Sequence, residues 1–212
     1  PLLVPLVAGD PGLAPLFVTH DLQGSAFRFR PLAEAAVPAA DPRVAGVALL
    51  AAPGRPVDEV LLAQVAHTLA KGGLTDAEAA AALARHQATF AAIRAGQPLP
   101  DTAEADEWAG GEAWLRSHLR LAVLADVGAL ACPLWIAQGT IDQQVTPVDA
   151  AALADAARAG GAPVVERSFP SLDHAFVVSA TGDVAEYATP GRQVDPTFLA
   201  ELAAFVAAVP AR

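Results

Sequence analysis

Pro133-Leu134-Trp135-Ile136-Ala137-Gln138-Gly139-Thr140-Ile141-Asp142-Gln143-Gln144-Val145-Thr146-Pro147 is the stretch whose reading decides the fold. It opens with an apolar run closed by Gly139, the pattern of a buried strand that ends in a tight turn. An acid, Asp142, stands just past that turn. Thr146 then suits an N-cap, Pro147 the first helical position and Asp149 the acidic partner of a capping box, which predicts a helix stopping at Gly160-Gly161. Val164, Val165 and Phe169 predict a second strand, with Pro170-Ser171-Leu172-Asp173-His174 as the turn beyond it.

The order is strand, acid loop, helix, strand, histidine loop. In a parallel sheet such a unit sends both loops to the carboxyl ends of the strands, the edge where active sites of open α/β sheets collect. Asp142 and His174 are therefore expected to meet. A carboxylate beside an imidazole fixes its tautomer and stabilises the imidazolium formed when the ring takes a proton. Either residue alone reads as a helix cap or a solvated loop residue. The ordered pair is what points to general-base chemistry.

Gln138-Gly139-Thr140-Ile141-Asp142-Gln143-Gln144-Val145, followed by Phe169-Pro170-Ser171-Leu172-Asp173-His174-Ala175-Phe176, resembles the C-terminal half of an α/β-hydrolase of the dienelactone-hydrolase-like and acyl-esterase-like subgroup. Upstream, Asp41-Pro42-Arg43-Val44-Ala45-Gly46-Val47-Ala48-Leu49-Leu50-Ala51-Ala52-Pro53-Gly54-Arg55-Pro56 is similar to the strand after the nucleophile helix in that subgroup. The resemblance implies an α/β-hydrolase-like, mostly parallel sheet flanked by helices, with residues 1–55 and 129–212 as the core. Residues 56–128 would be a helical cap insertion, and the N-terminal part of the sheet would be shortened or missing. It also implies hydrolysis of a carboxylic ester or related small-molecule acyl compound through a serine acyl-enzyme. His174 would be the base and Asp142 its orienting acid, with water as co-substrate and no cofactor or metal required.

Upstream of Asp41 the reading divides. Pro1 to Gly9 predicts a strand running into a Gly9-Asp10-Pro11-Gly12 turn. Under the resemblance this strand carries the oxyanion loop, with Ala8-Gly9 where His-Gly is usual, and Gly9 is the candidate oxyanion-hole residue through its backbone N–H. Leu16-Phe17-Val18-Thr19-His20 predicts a further strand. No Gly-x-Ser-x-Gly occurs anywhere, so the nucleophile is not identified. In one alignment Thr19-His20-Asp21-Leu22-Gln23-Gly24 is a degenerate nucleophile elbow, with Asp21 at the attacking position, as in branches whose aspartate opens epoxides or alkyl halides. In the other, Phe29 to Ala35 resembles the first helix after the oxyanion strand, the elbow is missing, and Asp21 and Ser25 are loop residues. A strand-crossover-strand unit takes about thirty residues, which leaves little room before Asp41. The missing elbow also motivates a rival reading, a non-catalytic relative that binds a small apolar ligand or a protein partner.

Between Ala52 and Pro133 lies more chain than a single crossover needs, and it reads as helices. Val57 to Lys71 has Leu61, Val65 and Leu69 at four-residue spacing and stops at Gly72-Gly73. Thr75 caps a helix from Asp76 to Gly96, Pro98 and Pro100 break it, and Glu104 to Leu124 is predicted as one further helical stretch. His67, His86 and His118 lie in this insertion without close metal-ligand spacing, so they read as surface or core histidines. After His174, Ala175 to Arg192 reads as loop. Asp195-Pro196 then opens a last helix whose Phe198, Leu202, Phe205 and Val209 form one apolar stripe, expected to cover a face of the sheet.

Composition bounds the rest. A chain of 212 residues with 54% hydrophobic residues can bury a large single core. A net charge of -10 argues against a nucleic-acid partner, there being no basic patch to neutralise phosphates. The richest apolar run, Leu121 to Ala137, is broken by Asp126 and Pro133, which argues against a membrane span, and the first residues lack the cationic start of a signal peptide. The single cysteine, Cys132, forbids an intrachain disulfide, fits a cytoplasmic setting and reads as a small buried apolar residue. The chain begins at Pro1 and holds no methionine, so either a start has been removed or this sequence is part of a longer one. A short sheet would leave an exposed edge, for which homodimerisation or strand exchange is one remedy.

Overall fold

The computed structural model describes Leu16–Thr19 and residues 44–209. The strand expected at Pro1 to Gly9, the candidate oxyanion residue Gly9, the alternative nucleophile Asp21, Ser25 and the helix expected near Phe29 to Ala35 lie outside the described residues. The architecture is α/β, a parallel sheet flanked by helices. Strands β1 (Leu16–Thr19), β2 (Gly46–Leu50), β3 (Leu134–Gly139) and β4 (Val164–Phe169) pair in the order β1-β2-β3-β4, every pair parallel. Strands β2 and β3 are buried on both faces and therefore read as continuous apolar runs rather than alternating ones.

Local chemistry explains the helices that position the site. Helix α6 (Pro147–Ala159) starts where Pro147 supplies a preset φ and the Asp149 carboxylate reaches back to the Thr146 N–H at 3.1 Å. The same carboxylate takes the Gly54 N–H at 3.1 Å, tying the exit of β2 to the head of α6. Helix α7 (Pro196–Ala208) starts with the Asp195 carboxylate accepting the Phe198 N–H at 2.9 Å. Its Phe198 and Leu202 enter a core of Ala48, Leu50, Trp135, Ala137, Phe169, Leu172 and Phe176, with Phe205 packed beside it. The expected apolar stripe therefore does cover one face of the sheet. Because side chains alternate along a strand, Gln138 points to the other face than Trp135 and Ala137.

Two compact units divide the chain. One comprises the stretches up to Gly54 and from Val123 onward; the other is Arg55–Ala122. The second unit is helical. Helix α1 (Val57–Lys71) ends at Gly72, and α2 (Asp76–Ala95) opens on a full capping box between Thr75 and Glu78 and closes on the left-handed Gly96. The single helical stretch expected from Glu104 to Leu124 is instead three short helices, α3 (Ala103–Ala109), α4 (Glu112–His118) and α5 (Val123–Gly128). Gly110-Gly111 breaks the first from the second, since each glycine costs about 1 kcal/mol in a helix interior and Gly111 takes a non-helical ψ of 6°. Packing fixes the new directions. Trp108 docks edge-on against Phe90 of α2, and the Arg116 guanidinium donates to the Ile93 carbonyl at 2.9 Å. Helix α5 belongs to the sheet unit, where it packs on α6. Among the described residues no helix is long and apolar enough to cross a membrane.

Candidate active site

The carboxyl ends of β3 and β4 bring the acid loop and the histidine loop together through Gly139. A Cβ at this position would lie 2.3 Å from the Leu172 carbonyl oxygen and 2.7 Å from that of Asp173, so any side chain would force the two loops apart. The contact is then stitched by backbone: Thr140 N–H donates to Phe169 O at 3.0 Å and Ile141 N–H to Leu172 O at 3.3 Å. Ser171 N–H donates to the Thr140 hydroxyl at 3.1 Å.

Across this seam His174 Nδ1 lies 2.8 Å from Asp142 Oδ2, with the two side chains 4% and 0% exposed. The carboxylate has no freedom to turn. Its Oδ1 accepts the N–H groups of Gln144 at 2.8 Å and Val145 at 3.0 Å, and its Oδ2 also accepts the Gln138 side-chain amide at 2.9 Å. With Asp142 acting as acceptor throughout, Nδ1 of His174 is the proton-bearing nitrogen, and Nε2 on the far edge of the ring is the one through which it can exchange protons. The Gln138 amide is itself fixed by donating to Val145 O at 2.9 Å.

The imidazole is held from both sides in sequence. Leu172 and Phe176 flank it at two residues' distance and both sit in the core, Phe176 stacked on Phe198 with centroids 4.0 Å apart. Phe176 takes a φ of 55°, which for a non-glycine residue costs on the order of 1 kcal/mol and is outweighed by roughly 2–3 kcal/mol from burying the ring. Among the described residues the other non-glycine positions with positive φ are Ala51, just past β2, and Ser171, just past β4. Two of the three, Ser171 and Phe176, thus bracket His174 in the loop after β4.

Several residues of this edge carried no sequence signal. Gln138 reads as one more residue of a buried strand, and only the alternation of faces turns its amide toward the acid loop. Asp173 reads as a turn residue, yet its side chain is fully buried and accepts the N–H groups of Ala175 at 3.0 Å and Val177 at 3.2 Å as well as a short contact from Arg192. Tyr187 donates no legible pattern either. Burial, together with the nearby Asp173 and Asp142 charges, holds its phenol well above the usual range.

The remaining histidines lie elsewhere. His67 is on the exposed side of α1, His86 is buried between α2 and Trp108, and His118 stacks on Trp114 at 3.9 Å. Among the described residues no group of three or more His, Cys, Asp or Glu could hold a metal ion, and Cys132 is buried.

The chain matches no protein-family model and no curated protein sequence. Among solved structures it is similar to BpoC of Mycobacterium tuberculosis, described as a non-heme bromoperoxidase, at 17% identity over 85% of this chain and 65% of that one, with a TM-score of 0.44. It is similar to the esterase domain of a Rhodothermus marinus protein at 20% identity, over 81% of this chain and 56% of that one, with a TM-score of 0.39. It is also similar to an α/β-hydrolase fold protein from Nakamurella multipartita at 15% identity, over 82% of this chain and 64% of that one, with a TM-score of 0.33. The chain therefore spans between 56% and 65% of the length of these structures.

Proposed function

We propose that this chain is a hydrolase of the α/β-hydrolase, dienelactone-hydrolase-like kind that acts on carboxylic esters or related acyl compounds, with His174 as general base and Asp142 as its orienting acid. The observation that carries the reading is the 2.8 Å contact between Asp142 Oδ2 and His174 Nδ1 at the carboxyl ends of parallel strands. In this scheme His174 Nε2 takes a proton from the nucleophile as that group attacks the acyl carbon, and the imidazolium is stabilised by the carboxylate behind it. The proton passes to the departing alcohol. Water then cleaves the acyl-enzyme with the same base. Gly9 would supply a backbone donor to the oxyanion, and the helical insertion would act as the cap. Turnover of short-chain nitrophenyl esters tests the reading: it should be lost in His174→Ala, and unchanged turnover in that variant would refute it. A fluorophosphonate probe should label a single serine.

One observation favours a second nucleophile. Strand β1 ends at Thr19 and runs parallel to β2, and the next residues in the sequence are His20 and Asp21. An aspartate there would attack the carbon of an alkyl halide or epoxide, expelling halide or opening the ring, and His174 would activate the water that hydrolyses the resulting alkyl ester. This reading predicts no fluorophosphonate labelling. In His174→Gln, exposure to such an electrophile should instead add the alkyl mass to the peptide containing Asp21.

A further inference from the structure

The chain from Val178 to Val194 leaves the histidine loop and returns to it. Antiparallel bridges Leu172↔Val178 and Val177↔Val194 close its base, helped by Ser179 N–H to Ser171 O at 3.1 Å and Asp195 N–H to Phe176 O at 2.8 Å. Inside, the Glu186 carboxylate gathers the Ser179 hydroxyl at 2.8 Å, the N–H groups of Ala180 at 3.0 Å and Thr181 at 2.8 Å, and the Thr181 hydroxyl. The hydroxyls of Thr181 and Ser179 and these N–H groups hold its carboxyl down at about 2, so the loop keeps its organising anion at any ordinary pH. The sequence reading of this stretch as plain loop misses a folded element with a short 3-10 turn, Val184–Ala188.

This element grips both loops of the candidate site. Toward the acid loop, Gly182 (φ 76°) lies so close to Ile141 that a Cβ would sit 1.8 Å from its carbonyl oxygen. There too the Gln143 amide donates to Thr181 O, and the Gln144 amide donates to the Tyr187 hydroxyl at 2.5 Å. Toward the histidine loop, Arg192 pairs with the buried carboxylate of Asp173, the residue before His174, while its guanidinium lies 5.1 Å from the centre of the Tyr187 ring. Tyr187 and Arg192 therefore join the grip on one loop to the grip on the other.

We propose that Arg192, acting through Asp173 and braced by Tyr187, is a positioning residue that sets the orientation of the His174 imidazole against Asp142. This rests on the reading of Asp142 and His174 as the catalytic pair. The physical reason is that Asp173 is a fully buried carboxylate one peptide away from His174. Without its cation that charge must find water or protons, and the loop turns to provide them. A displacement of about 1 Å at a reacting group can cost on the order of a hundredfold in rate.

The test uses the whole chain with nitrogen-15-labelled histidine, reading the proton resonance of His174 Nδ1–H and, separately, ester turnover. In Arg192→Met the downfield Nδ1–H signal should shift or vanish and kcat should fall roughly ten- to a hundredfold with KM nearly unchanged, while Arg192→Lys recovers part of both. If Arg192→Met does not fold, Arg192→Gln, which keeps a donor but removes the positive charge beside Asp173, should show the same changes. An unaltered Nδ1–H signal with unaltered kcat in any folded variant of the pair overturns the proposal. Should His174→Ala keep full turnover, the catalytic reading falls, and the Nδ1–H signal in the Arg192 variants still decides whether Arg192 positions the ring.

Discussion

His174 in the sheet unit and the pair His86 and His118 in the helical unit are equally hidden from water, at 3%, 4% and 7% exposure. Their partners separate them. His174 Nδ1 faces the Asp142 carboxylate, an acceptor that decides which ring nitrogen carries the proton. His86 Nδ1 instead accepts the indole N–H of Trp108 at 3.0 Å, a bond that requires the neutral ring, and protonation would set two donors against each other. His118 lies against the Trp114 ring, and burial pushes its value below the ordinary one although the Trp114 carbonyl pulls the other way. The sheet unit sets its buried histidine against a carboxylate, and the helical unit sets its two against an indole N–H and against the face and carbonyl of a tryptophan. Burial does not separate the three imidazoles; the group at Nδ1 does.

The largest effect that would break this contrast is on turnover. Steady-state kinetics of His174→Ala should show kcat reduced by about 10⁴-fold or more, and Asp142→Asn by roughly 10³–10⁴-fold through loss of the correct tautomer. His118→Gln should leave ester turnover near that of the parent. A comparable loss there would erase the distinction between the two units.

Next comes the seam on which the pair depends. Urea unfolding of Gly139→Ala should show a loss of about 3 kcal/mol, because the added methyl meets the carbonyls of Leu172 and Asp173 and neither can yield without moving the loop. Its His174 Nδ1–H signal should broaden or shift. On the helical side, His86→Leu keeps the volume but strands the Trp108 N–H, and thermal melting should report a cost of about 1–3 kcal/mol with no change in turnover.

The smallest effect is a pH dependence confined to the helical unit. A His118 value lowered on folding means the unfolded chain takes up its proton first as the solution is acidified. The stability it contributes is complete above the unfolded value of 6.5 and is lost as pH falls below it toward the folded value. Hydrogen-exchange protection factors across Glu112–His118, taken relative to the base-catalysed intrinsic rate at each pH, should therefore fall on acidification from neutral pH, and His118→Gln should flatten that response.

Much of this was legible because its causes are local. The boundaries of α1, α2, α6 and α7 follow from Pro, Thr, Asp and Gly placed within a turn of each helix end. The juxtaposition of Asp142 and His174 follows from strand order, because a parallel crossover leaves no other edge for its two loops. The reading of Glu104 to Leu124 as one stretch failed where composition was ambiguous. Its residues are good helix formers, and the break at Gly110-Gly111 was settled by where Trp108 and Arg116 find partners on α2. The element from Val178 to Val194 was illegible for a related reason. It has no apolar period to read, being organised around the carboxylate of Glu186 and the guanidinium of Arg192.

The sequence by itself determined which segments become strands and helices and in what order they leave the sheet, since caps, turns and apolar runs act over a few residues. Only the tertiary structure decided that Gln138 braces Asp142, that Gly139 must be bare, and that Asp173 finds its cation at Arg192. Those are relations between backbones and charges brought within a few ångströms by packing, and hydrogen bonds of that reach depend on distances that no one-dimensional spacing encodes.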